Sequence, residues 1–264
     1  MDTLVLDIGY EIHNLLDFFS QVNLRLVSKH FAKNYHITNL HDFEFNSPQS
    51  NLLKPNLTTK SFGYTHIPPN EILRNYPHTI KLKIANVAIK DISNMPKLQM
   101  LIAFRSNITN DVIKKLPNLV VLNVTDCEHV TDINCLAKLR ILYASYTYGI
   151  DDNGLKNLVN LHKLEVNGNM RVTNINHMSK LQILDARSAW RLPCGIKNDG
   201  IQKLTELIIL DISYNENITD VNHMKKLKLL KLGGDCNIGP ARIAELDKSV
   251  KISGFMNNKI KRRT

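Results

Sequence analysis

A hydrophobic pattern returns along the chain from residue 79 almost to the C-terminus. The phrase L-x-x-L-x-L, in which x is any residue, begins anew every 19 to 26 residues. Successive copies start at residues 79, 98, 119, 139, 161, 181, 207, 227 and 247. The apolar residues at the fourth and sixth places alternate with other residues, which is typical of a short strand with one buried face. The pattern therefore predicts one short strand in each copy.

Copies of this length resemble leucine-rich repeats. The resemblance implies an α/β fold, a curved solenoid with short parallel strands on its concave face and short helices or irregular turns on its convex face. Because no single repeat can enclose a core, stability is expected to come from the stacking of neighbouring repeats.

Two kinds of connecting segment alternate between the strands. One kind includes the phrases Ile175-Asn176-His177-Met178 and Val221-Asn222-His223-Met224. The other includes residues 153–158 and 199–204, in which a glycine precedes an apolar residue. The alternation indicates that a two-repeat unit was duplicated.

A small or polar residue three positions past each strand is predicted to turn the chain. Such a side chain can satisfy buried backbone groups at the turn. These residues are Ser106, Cys127, Thr147, Asn169, Ala189, Asn215 and Asp235. A second apolar residue is expected to anchor each turn from beneath, and Leu192 takes this role in the longest repeat.

The first forty residues follow a different pattern. Apolar residues there recur at helix spacing, and Ser20 can cap a second short helix. The segment resembles an F-box, a family that opens with Leu-Pro-x-Glu-Ile/Leu and closes its second helix with Leu-x-Leu-Val-Ser/Cys-Lys. This chain has Glu11-Ile12 and the phrase from Leu24 to Lys29, although Gly9 stands where the family has proline. The alternative is a helical cap on the end of the solenoid.

The F-box resemblance implies the substrate-recognition subunit of an SCF-type (cullin) ubiquitin ligase. In that family the F-box docks a Skp-family adaptor and the repeats bind the target protein. The apolar residues expected to contact the adaptor are Ile8, Ile12, Leu16, Leu24, Val27 and Phe31. The alternative function is a leucine-rich-repeat protein-binding scaffold with a helical cap and no ubiquitin-ligase role.

These patterns divide the chain into four parts. They are an F-box-like helical domain at 1–40, a junction with a degenerate first repeat at 41–78, an array of about eight or nine repeats at 79–256, and a basic tail at 257–264.

Residues that alternate with the buried strand leucines are expected to face a target on the concave side. The candidates are Phe104, Tyr143, Tyr146, Glu165, Asp185, Arg187, Asp211 and Tyr214. The three acids would attract a basic segment of the target, with the aromatic residues as anchors. Alternatively, Arg187 and the flanking lysines neutralise the acids.

Composition adds a few exclusions. The net charge is +10, but many lysines lie in connecting segments where a solvated face explains them, so nucleic acid is not favoured as a partner. The sequence contains no stretch of eighteen apolar residues, so no membrane span is predicted. The four cysteines form no metal or disulfide motif, and residues 1–3 begin no secretory signal, so we expect an intracellular protein, cytoplasmic or nuclear. No motif indicates catalysis, a metal or a cofactor.

Overall fold

The structure is a computed structural model that describes residues 39–40, 61–64, 79–84, 91–189 and 192–254. Within these residues, eleven short strands form one parallel sheet, and each strand pairs with its neighbours in sequence. The strands are β1 (Asn39–Leu40), β2 (Ser61–Tyr64), β3 (Lys81–Ile84), β4 (Met100–Ile102), β5 (Val121–Asn123), β6 (Ile141–Tyr143), β7 (Lys163–Glu165), β8 (Ile183–Asp185), β9 (Ile209–Asp211), β10 (Leu229–Lys231) and β11 (Lys251–Ser253).

Helical turns follow every second strand. Helix α1 (Asn110–Ile113) follows β4, α2 (Asp152–Leu155) follows β6, a 3-10 turn (Asn198–Gly200) follows β8, and α3 (Pro240–Ala244) follows β10. The alternation confirms that the connecting segments are of two kinds. None of the helices in the described ranges has the length and apolar character needed to cross a bilayer.

The pairing register places the predicted leucines directly beside one another. The partners run from Leu82 in β3 through the middle residue of each strand to Leu230 in β10. Each of these leucines is almost fully buried. Burial of one leucine stabilises a fold by about 2 kcal/mol, so the row forms the continuous core that single repeats lack. The one-strand-per-repeat prediction is confirmed for these strands.

Buried polar side chains close the turns after the strands. The Asn169 Nδ2 donates to the carbonyl oxygens of Thr147 and Ile150 at 2.9 and 3.2 Å, and its Oδ1 accepts from the backbone N–H groups of Arg171 and Val172. Asn215 bonds in a similar way two repeats later. These contacts confirm the predicted role of the turn residues at both positions, because each amide satisfies backbone groups that are buried.

The longest repeat departs from the predicted turn. Ala189 was expected to turn the chain, but it forms an antiparallel bridge with Leu192. Cys194 takes the turn position instead, since its Sγ lies 3.7 Å from the carbonyl oxygen of Val166. Ile196 is fully buried and replaces Leu192 as the apolar anchor of the turn. The bridge between Ala189 and Leu192 therefore precedes the turn in this repeat.

Side-chain bonds on the outer side recur with the two-repeat period. The first residue of α1, of α2 and of the 3-10 turn accepts bonds from the backbone N–H groups of the following short repeat, and it also bonds to a threonine hydroxyl there. The pairs are Asn110 with Thr131, Asp152 with Thr173, and Asn198 with Thr219. The recurrence supports the duplicated unit inferred from the sequence.

The sheet begins earlier in the chain than the predicted array. Ser61–Tyr64 pairs with β3, although the sequence assigned this segment to a junction, and Asn39–Leu40 pairs with Ser61–Tyr64. Most of the junction at 41–78, the F-box-like residues 1–38 and the basic tail lie outside the described residues.

Replacing Asn169 with alanine is expected to destabilise the array by about 3 kcal/mol, since two buried carbonyls and two N–H groups lose their partner. Urea unfolding followed by circular dichroism measures the loss. Asn107→Ala, at an exposed position of an earlier turn, is the control and should change stability by less than about 0.5 kcal/mol. Equal stability of the two variants would contradict the role of the buried amide.

Candidate binding surface on the sheet

The sheet has one face that is not covered by the core. In β4 to β7 and in β10, the middle residue of the strand is buried and the two flanking residues are half-exposed. The flanking residues of all strands from β4 to β10 therefore line one surface, which we call the sheet face. It corresponds to the concave face that the sequence predicted.

The first residues of the strands form an apolar row on the sheet face. They are Met100, Val121, Ile141, Ile183, Ile209 and Leu229, each half-exposed, and Lys163 interrupts the row in β7. The target site predicted from the sequence covered the positions after each buried leucine and did not include this row. The same alternation contained the signal, because the residue before a buried strand position points to the same side as the residue after it.

The three predicted acids lie side by side in the third positions of β7, β8 and β9. Register pairs Glu165 with Asp185 and Asp185 with Asp211. Like charges at neighbouring positions repel each other, so such a row needs cations nearby.

Arg187 lies beside Asp185 and Asp211. Its Nη2 donates to Asp185 Oδ2 at 2.7 Å, and its Nε donates to Asp185 Oδ1 at 2.9 Å. The same Nε lies 3.7 Å from Asp211 Oδ2. The hydrogen bond with Asp185 raises the pKa of Arg187, and it outweighs the opposing effect of burial. The guanidinium group is therefore a permanent positive charge shared by two carboxylates.

Two lysines complete the charge balance. Lys163 Nζ lies 2.9 Å from Glu165 Oε1, and Lys231 Nζ lies 3.7 Å from Asp211 Oδ2. Burial lowers the pKa of Lys163, but hydrogen bonds with Glu165 and Tyr143 outweigh it and the net shift is upward. Three cations thus face three carboxylates. The structure supports the alternative in which the row is neutralised from within the chain.

The predicted aromatic residues fall into two groups. Tyr143 lies on the sheet face beside the charged row, with the Lys163 ammonium 4.7 Å from its ring centre. Phe104 follows β4 and contacts the Arg105 guanidinium at 4.9 Å. Tyr146 and Tyr214 instead occupy the turns after β6 and β9, where their backbones adopt positive φ angles of 55° and 61°.

Each of these two tyrosines packs over a glycine of the next repeat. A Cβ atom on Gly168 would come within 2.9 Å of the Tyr146 ring, and one on Gly234 would overlap the ring of Tyr214. The glycines therefore make room for the rings. Tyr214 nevertheless keeps 59% of its surface exposed, so it remains available to a partner at the rim of the sheet face.

The structure thus brings five predicted target-site residues together with Lys163, which was not predicted, in one network. The network runs from Tyr143 and Lys163 through Glu165 to Asp185, Arg187 and Asp211, while Phe104, Tyr146 and Tyr214 lie apart from it. The predicted adaptor-binding residues, all between residues 8 and 31, lie outside the described part of the chain.

The histidines and cysteines of the described residues have contacts that belong to the repeat. No group of three or more histidine, cysteine or acidic side chains among them could hold a metal ion. His177 and His223 each place Nε2 3.0 Å from a backbone carbonyl oxygen of the preceding repeat, a contact repeated with the two-repeat unit. Burial raises the pKa of Cys194 to about 12, so its thiol stays protonated at neutral pH.

Solved structures share this architecture. An internalin of Listeria monocytogenes, InlF, is 22% identical, with a TM-score of 0.51, over 69% of this chain and 58% of its own. A leucine-rich-repeat protein of Leptospira interrogans is 18% identical, with a TM-score of 0.53, over 80% of this chain and 58% of its own. This chain therefore spans just over half the length of either structure. No protein-family model matches it, and no curated protein matches it.

The fold is accordingly that of the leucine-rich-repeat proteins. At these identities the likeness establishes the architecture of the array alone.

Replacing Arg187 with methionine is expected to lower stability by about 2 kcal/mol, because Asp185 and Asp211 then face each other without their shared cation. The loss is smaller than for a fully buried pair, since Arg187 is partly exposed. Thermal unfolding at neutral pH measures it. The matched control is Arg171→Met, which breaks an exposed pair with Asp151 and should cost less than about 1 kcal/mol. A neutral effect of Arg187→Met would show that the shared cation is not needed.

Proposed function

We propose that the repeat array is a protein-binding module and that its sheet face is the binding surface. The proposal rests on two features that lie side by side on the sheet face. One is the apolar row, and the other is the row of acids, which is already held in place by ion pairs with cations of the same chain. Partly exposed aliphatic side chains gain free energy when a partner covers them. Side chains held in place beforehand lose little conformational entropy on binding, so the network needs no reordering.

The charge balance of the network indicates which kind of target segment the sheet face would bind. A row of unpaired carboxylates would attract a basic segment over a distance, as the sequence led us to expect. Since Lys163, Arg187 and Lys231 compensate Glu165, Asp185 and Asp211, the long-range attraction is small. We therefore favour a target segment with apolar side chains for the row of first strand positions and neutral polar groups for the network.

Site-specific photo-cross-linking tests this proposal in the native cell. A benzophenone amino acid at Ile141 or Ile183 on the sheet face should cross-link the target protein. The same group at Lys156 or Gln202, exposed on the connecting segments, should not. A target captured equally from both sets of positions, or only from Lys156 and Gln202, would place the binding surface elsewhere.

A second candidate function rests on the phrase from Leu24 to Lys29, which resembles the end of an F-box. If the first forty residues bind a Skp-family adaptor, the chain would bring its target to a cullin ubiquitin ligase inside the cell. Catalysis would then lie in the ligase, and this chain would contribute by raising the effective concentration of target lysines near the ubiquitin carrier. The plain scaffold requires no such adaptor.

Binding to a purified Skp-family adaptor separates the two candidates. With an F-box, the full chain binds the adaptor, and Leu24→Asp or Val27→Asp reduces binding by more than about tenfold, because a charge would be buried in an apolar contact. Arg187→Met, on the sheet face, serves as the control and should bind the adaptor normally. If the intact chain does not bind, the scaffold without a ubiquitin-ligase role remains.

A further inference from the structure

The turns that lead into the strands collect positive charge along one edge of the sheet. In every second repeat, the residue directly before the first leucine is a lysine, namely Lys97, Lys138, Lys180 and Lys226. Arg140 and Lys228 lie two residues further on in two of these repeats. Because the parallel strands pair in register, equivalent residues before each strand lie in line. We call these six side chains the basic edge.

Neighbouring amides hold two of these lysines in position without cancelling their charge. Lys138 Nζ donates to Asn118 Oδ1 at 2.6 Å, and Lys180 Nζ donates to Asn160 Oδ1 at 2.9 Å. The two asparagines are fixed in turn, since their Nδ2 groups donate to backbone carbonyls of the preceding repeat. An amide oxygen carries no net charge, so the Lys138 and Lys180 ammonium groups stay unneutralised, whereas Lys226 pairs with Glu206. The sheet face differs in this respect, because its charges are paired with opposite charges.

The opposite edge of the sheet mixes the two signs. The turns that follow the strands contain the carboxylates Asp126, Glu128, Asp151, Asp152, Glu216 and Asp220, and they also contain Arg105, Arg171, Lys197 and Arg242. Three of these carboxylates pair with the arginines, namely Asp126 with Arg105, Asp151 with Arg171 and Asp220 with Arg242. The basic edge has fewer acids among its cations, so it is the side that an extended anionic partner would approach.

The basic edge matches the dimensions of a nucleic-acid backbone. From β4 to β10 the strands advance by about 4.8 Å each, which gives the edge a length of about 30 Å. A duplex of about nine base pairs has this length. We propose that the basic edge binds double-stranded nucleic acid through its phosphates, without reading the base sequence.

The residue types along the edge favour a duplex over other polyanions. Five of the six side chains are lysines, which contact phosphates as point charges, whereas base reading in the groove relies on paired donors such as arginine or asparagine. The described turns before β4 to β10 contain no phenylalanine, tyrosine or tryptophan, so bases of a single strand find none of these large rings to stack on. Val159 is the one large hydrophobic side chain that these turns expose strongly, and a membrane-bound edge would need a broader apolar surface.

Fluorescence anisotropy with the full chain and a labelled DNA duplex of about twenty base pairs tests the proposal, with two unrelated sequences compared between about 50 and 200 mM salt. Both duplexes should bind equally, and binding should weaken steeply with salt. The edge variant combines Lys138→Gln, Lys180→Gln and Lys228→Gln. It should bind at least about tenfold more weakly, with a salt slope reduced by about three.

The control variant removes the same charge away from the basic edge, by Arg171→Gln, Lys197→Gln and Arg242→Gln, and it should retain most of the affinity. Thermal unfolding establishes that both variants are folded. Equal losses in the two variants would mean that net charge alone attracts the duplex, and the proposal would be wrong. Tighter binding to anionic lipid vesicles or to single-stranded DNA than to the duplex would also overturn it, as would no binding at low salt.

Discussion

Stacking of the repeats buries backbone N–H and carbonyl groups where the chain turns after each strand. Side chains at the turn position form hydrogen bonds with these groups. Asn169 and Asn215 bond to carbonyl groups of the turn before them and to N–H groups of their own turn. Thr147 and Cys127 donate to carbonyl groups of the preceding repeat in the same place. These bonds fix the spacing between neighbouring repeats, and a constant spacing keeps successive strands in register. The core, the sheet face and the basic edge all follow from that register.

The array separates two uses of charge. On the sheet face, Arg187 and the flanking lysines compensate the acids, which leaves a surface suited to short-range contact. Along the edge before the strands, Asn118 and Asn160 position lysines without compensating them, which leaves a long-range field. A protein ligand and a polyanion could therefore occupy different sides of the same array.

Much of this could be predicted from the sequence, because leucine spacing acts locally. Each buried strand leucine from Leu82 to Leu230 was identified from the repeat alone, and so was the position of the acidic row. The prediction was wrong in the longest repeat. Ala189 stands at the same distance from the strand as the other turn residues, but it is Cys194 whose side chain contacts a carbonyl of the preceding repeat. The pairing of Arg187 with two acids depends on side-chain rotamers across neighbouring strands, which no spacing specifies. The strand at Ser61–Tyr64 lacks a leucine and was missed for that reason.

Hydrogen–deuterium exchange resolved to single amides tests the register most directly. The first amides of the central strands, at Val121, Ile141, Lys163, Ile183 and Ile209, each donate to a carbonyl of the preceding repeat. They should exchange far more slowly than the amides of the exposed turns, so that protection returns once in every repeat along the chain. Protection that runs through consecutive residues, as in long helices, or that has no relation to the repeat would contradict a solenoid with one strand per turn.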